Sequence, residues 1–76
     1  MKIKTKYEVG THIWVVYEHR KTACVYDTHI VSIIYNVDGL VYMTEECNEI
    51  KEEEIILYED EKTLVKRIKE ISKIEQ

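Results

Sequence analysis

Seventy-six residues, 45% of them hydrophobic and 34% charged, describe one small folded domain with a formal net charge of −4, a globular mixture rather than a disordered one. No apolar run approaches the roughly 20 residues of a membrane helix, which points to a soluble protein with no membrane role. Two glycines rule out a glycine-rich phosphate cradle, and two cysteines, Cys24 and Cys47, can close at most one bridge.

The opening stretch MKIKTKYEVG is charged and alternating and lacks the apolar centre of a secretion signal, so a cytosolic chain with both thiols reduced is expected. In the following YEVGTHIWVVYEH, Ile13, Val15 and Tyr17 fall on one side of a strand, and His12, Trp14, Val16 and Glu18 on the other. Both sides are largely apolar, as in a closed or doubly covered sheet, and Gly10 supplies a tight entry. After the polar loop EHRKTA, the β-branched and aromatic run Ala23 to Tyr35 has the length of either one bent strand or two strands divided near Asp27 and Thr28, and the bent strand is favoured. The Asp-Gly pair in Asn36 to Gly39 predicts a tight hairpin, with LVYMT as the returning strand. NEIKE and EIILY read as two short strands around a turn at Glu52 to Glu54, which is expected to be a single tight helical turn.

The last segment changes period. Leu64, Ile68 and Ile71, flanked by Val65 and Ile74, recur at spacings of three and four, which predicts an amphipathic helix from about Asp60 to Ser72. Asp60 is the expected N-cap, and the charges follow the helix dipole: Glu59, Asp60 and Glu61 at its start, Lys69 and Lys73 near its end. The whole reads as a mainly β fold in a single domain: a small five-stranded antiparallel barrel over about residues 7–58, with a helix over about 60–73 laid across one opening or one edge. Burial of Leu64, Ile68 and Ile71 would contribute roughly 1.5 to 3 kcal/mol each, so the helix is expected to be structural.

Charge is distributed unevenly. From Thr44 to Glu61 the chain packs nine carboxylates and one lysine into eighteen residues, while the segments on either side are slightly basic. Two like charges about 4 Å apart repel by roughly 1 kcal/mol even in water, so folding gains little from such crowding.

The run YEVGTHIWVVYE, the long strand, DGLVYMTEE, the acidic turn KEEEIILYEDE and a terminal helix together resemble the small SH3-like barrel proteins of phages and mobile elements of low-GC Gram-positive bacteria. Val9-Gly10 before a hydrophobic strand is similar to the opening of KOW and Tudor barrels, which often carry Asp where this chain has Thr11. The lysine, glutamate and isoleucine bias is also of that kind. Several such phage proteins are inhibitors of host machinery, anti-CRISPR proteins among them, and the resemblance implies that role.

Catalysis finds little support. The local candidates for a nucleophile and base are Cys24 with His19 or His29, each five residues away: along an extended segment His29 is about 16 Å off, whereas the gap to His19 crosses a loop that can fold back. Zinc would need closely spaced Cys or His pairs, and a set drawn from His12, Cys24, His29 and Cys47 lacks such spacing, so no metal or other cofactor is expected. Carboxylate pairs abound from Glu45 to Asp60, but acid/base work needs two of them set across a cleft.

Binding is therefore the expected role, without catalysis. The favoured surface is the acidic band, with Glu45, Glu46, Glu49, Glu52, Glu53, Glu54, Glu59 and Asp60 facing a basic host protein and Ile56 and Tyr58 as apolar anchors. The partner class would be a nucleic-acid-processing or defence nuclease, whose basic groove such a surface imitates DNA to fill. The alternative is nucleic acid, bound by stacking on Trp14 with Arg20, Lys21, Lys66 and Arg67 on phosphate. A sequence pI near 5.3 opposes it. Self-association through a strand edge or the helix stripe is compatible with either.

Overall fold

The computed structural model describes residues 5–72. Five antiparallel strands form one sheet: β1 (His12–His19), β2 (Thr22–Asn36), β3 (Gly39–Thr44), β4 (Glu49–Lys51) and β5 (Ile56–Leu57). A 3-10 turn (Glu52–Glu54) separates β4 from β5, and one helix, α1 (Glu61–Ser72), follows. The strand order is β4-β3-β2-β1-β5, so the fold is mainly β with a C-terminal helix, as the periodicities require. Lys2, Lys4, Lys73 and Ile74 lie outside the described residues.

β2 organises the sheet. Its first half pairs with β1 from Thr22 to His29 and its second half with β3 from Ile30 to Asn36. The register shifts between Ile30 and Ser32, so the extra residue is Val31 and the strand bends there. That is three to four residues beyond the expected bend at Asp27 and Thr28, because the direction changes where the partner strand changes.

The tight hairpin is present, but its turn is centred one residue earlier than the Asp-Gly pair. Asn36 and Gly39 are paired, Val37 and Asp38 are the central residues, and the Asn36 side-chain oxygen accepts from Asp38 N at 2.8 Å. Asn at the first and Gly at the fourth position is the sequence signature of a type I turn.

The two outer strands, β4 and β5, are joined by only four residues, three of them in the 3-10 turn. Such a connection spans about 13 Å, whereas the edges of a flat five-stranded sheet stand about 19 Å apart. The sheet must therefore curl. Among the described residues no ladder joins β4 to β5, so the curl stops short of a closed barrel.

The concave side holds the main core: Ile13, Ile30, Tyr42, Ile50 and Ile55, with Tyr7, Val15, Ile33 and Leu40 packed against them. Ile56, which the register sets beside Trp14, and Leu64 of α1 are buried outside that cluster. α1 contacts β1 and β2. Its N-cap is Asp60, whose carboxylate accepts from Thr63 N at 3.2 Å and from Thr63 Oγ1 at 2.7 Å, and these bonds hold that carboxyl below its ordinary range.

Candidate binding surfaces

The acidic band divides into carboxylates that build the fold and carboxylates that do not. Glu52 belongs to the first group: its Oε2 accepts from the Tyr42 hydroxyl at 2.6 Å and from Lys6 N at 3.3 Å, and these hydrogen bonds lower its pKa. The Tyr42 ring is fully buried, and burial, followed by the bond to Glu52, raises the phenol's pKa. Glu54 reaches back to Lys51 N at 3.2 Å to cap the 3-10 turn, and Asp60 caps α1. Glu45 accepts from or pairs with His29 Nδ1 at 3.1 Å.

Glu46, Glu49, Glu53, Glu59 and Glu61 remain. All five are exposed, and no Lys or Arg nitrogen lies within 4.0 Å of their carboxylate oxygens among the described residues. The only ion pair to a Lys or Arg among those residues is Arg67 with Glu70, along α1 at 3.9 Å. Negative charge on the β3–β4 side is therefore left to solvent or to a partner.

Ile56 does not serve as an exposed anchor. It is 1% exposed because β5 turns it away from solvent, opposite Trp14. Tyr58 is partly exposed, but its ring is engaged in a column that sequence reading missed. His29 stacks on His12 (4.5 Å between ring centroids), His12 on Tyr58 (3.9 Å) and Tyr58 on Trp14 (4.9 Å), all within 18° of parallel. The pairing His12↔His29 makes those rings cross-strand neighbours, and only knowledge of the register would have revealed it. Asp27 is 2.6 Å from His12 Nε2, a bond that lowers the Asp27 pKa, and Trp14 Nε1 donates to the Tyr58 carbonyl at 2.8 Å.

This column bears on the nucleic-acid reading. Trp14 stacks internally rather than standing free, and the column is flanked by the carboxylates of Asp27 and Glu45, which repel phosphate. Arg20 and Lys21 form the tip of the β1–β2 hairpin, six or seven residues along from Trp14, which is about 20 Å on an extended strand. Lys66 lies with Lys62 and Lys69 along one shallow groove on α1, whereas Arg67 faces a different one. Trp14 lines neither of these grooves.

The second groove, about 660 Å³, is the one Arg67 faces. Val15, Val16 and Tyr17 of β1, Tyr26 of β2 and Ile50 of β4 line it, with Glu46, Glu49 and Glu54 among its acidic groups. Asn48 Nδ2 donates to the Tyr26 hydroxyl at 2.8 Å, which pins the β3–β4 turn over β2 and gives the groove a wall. Cys47 sits in that turn, exposed and with positive φ (66°).

For chemistry, the Cys24 thiol has the Thr22 carbonyl as its hydrogen-bond partner, at 4.0 Å, and no histidine. Among the described residues no three His, Cys, Asp or Glu side chains converge as metal ligands. Nor is any helix among them long and apolar enough to cross a membrane. Comparison with protein families, with characterised proteins and with solved structures finds no match for this chain.

Proposed function

We propose that this protein is a non-catalytic binding domain that meets a basic protein through its acidic β3–β4 side. One observation carries the reading: Glu46, Glu49 and Glu53 are exposed, close together in the chain and free of Lys or Arg partners among the described residues. Unneutralised like charges disfavour the free domain and are relieved when a cationic surface arrives. The long-range field also accelerates encounter. The resemblance to phage-type SH3-like inhibitors extends the proposal to a target class, a nucleic-acid-processing or defence nuclease with a basic groove.

The test separates these carboxylates from those that hold the fold. Glu46, Glu49 and Glu53 are changed together to Gln, leaving Glu52, Glu54 and Asp60 in place, and association with candidate nucleases is followed at two salt concentrations. Each exposed charge contributes of the order of 0.2–1 kcal/mol, so the triple variant is expected to weaken binding by about tenfold at low salt and little at high salt. Unchanged affinity at low salt would end the proposal.

A further inference from the structure

The 660 Å³ groove has an unusual lining. Val15, Val16 and Tyr17 are consecutive on β1 and all border it. Consecutive strand residues point to opposite faces, so three in a row can border one space only where that space runs along the strand's edge. β1 has such an edge. It pairs with β2 along its full length, from His12 to His19, but on its other side β5 covers only Ile13 and Trp14.

Which backbone groups face that edge follows from a single bond. The His12 carbonyl accepts from Tyr58 N at 3.1 Å, on the β5 side, so the even-numbered residues of β1 direct their N–H and C=O groups that way. Val16 and Glu18 therefore present an N–H and a C=O each to a side without a partner strand among the described residues. Across the groove stand Glu49 and Ile50 of β4, a strand that pairs only with β3 and is likewise an edge. The groove is the seam at which the curled sheet stops short of closing.

We propose that this seam accepts an extended segment of a partner protein, bearing arginine or lysine, as an added strand along Val16 to Glu18 of β1. Backbone hydrogen bonds to Val16 and Glu18 fix the segment, as in other strand additions. Its alternate side chains meet the apolar wall of Tyr17, Tyr26 and Ile50. Charge sets the composition: Glu46, Glu49 and Glu54 border the seam against the single cation Arg67, so a cationic segment is attracted and an acidic one repelled. The inference rests on the proposed acidic-surface binding and adds to it the partner's conformation and the edge it uses.

Three fluorescent heptapeptide probes test it: alternating Arg and Val, the same peptide N-methylated at every second amide, and alternating Glu and Val. Anisotropy is read at about 0.1 M and about 1 M salt, where screening lengths are roughly 10 and 3 Å. Amide spectra of the labelled protein report where each probe sits. The Arg–Val peptide is expected to shift the Val16 and Glu18 amides and to bind about tenfold more tightly than its N-methylated form, while the Glu–Val peptide does not bind. In E46Q/E49Q at the lower salt, its affinity is expected to fall by about tenfold.

Equal binding of the Arg–Val peptide and its N-methylated form, with Val16 and Glu18 unmoved, overturns the strand addition. Salt-sensitive binding that still depends on Glu46 and Glu49 would in that case leave the acidic-surface reading standing. Shifts of Val16 and Glu18 that depend on protein concentration alone assign the seam to a second copy of this chain and also overturn the proposal. Indifference of E46Q/E49Q to every cationic probe defeats both readings.

Discussion

Arg20 and Lys21 occupy the two central positions of the β1–β2 turn, each with positive φ (52° and 64°). That is the geometry of a type I′ turn, which matches the twist of a hairpin and is usually left to Asn and Gly. A non-glycine residue there costs roughly 1–2 kcal/mol through the crowding of Cβ against the carbonyl. Lys21→Gly is therefore expected to raise the unfolding free energy by about 1 kcal/mol in urea titration. Gly10, by contrast, is where the sequence already chose correctly. Its φ of 96° closes the Glu8–Thr11 turn, in which Thr11 N donates to Glu8 O at 3.1 Å.

The same scale sets the response to acid. Hydrogen bonds from His12 to Asp27, from Tyr42 to Glu52 and from Thr63 to Asp60 each hold a carboxyl below its ordinary value. A group with a depressed native pKa binds fewer protons folded than unfolded, so the stability it supplies is complete above the unfolded value and is lost as pH falls through the native one. Urea midpoints are thus expected to fall as pH drops below about 4. Glu52→Gln should flatten part of that acid limb, and a limb unchanged in this variant would place the linkage elsewhere.

At the scale of elements, α1 is fastened by a cap at Asp60 and by one buried side chain, Leu64. Leu64→Ala is expected to cost about 2–3 kcal/mol, the low end of the range for a buried leucine because the site lies near the surface. Loss of helical circular dichroism at a temperature where the strands persist would show that α1 opens separately from the sheet. The elements themselves were legible. The period-3.6 stripe of Leu64, Ile68 and Ile71 identified α1, β-branched residues identified β2, and the three consecutive glutamates read as a tight helical turn between β4 and β5. Places where chain direction changes were less so. The bulge at Val31 depends on β3 taking over from β1 as the partner of β2, and no local propensity at Val31 announces it.

For the whole molecule, charge dominates behaviour in solution. The exposed carboxylates of the β3–β4 side and the lysines of α1 border different grooves, so salt is expected first to relieve repulsion within each group. Adding salt from about 0.01 M to about 0.5 M is expected to raise the thermal midpoint of the free domain by a few degrees. A midpoint that falls instead would mean that attractive pairs outweigh the crowding.

Periodicity and composition by themselves determined the mainly β class, the terminal helix with its Asp60 cap, and the uneven spread of charge, because those properties are local in the chain. Tertiary structure alone decided which glutamates are spent on the fold and which stay free: Glu52 is engaged because the buried Tyr42 hydroxyl, ten residues back in the chain on β3, reaches it. It likewise created the His29–His12–Tyr58–Trp14 column and the open seam beside Val16, since both arise from register and curl, which depend on partners far apart in sequence.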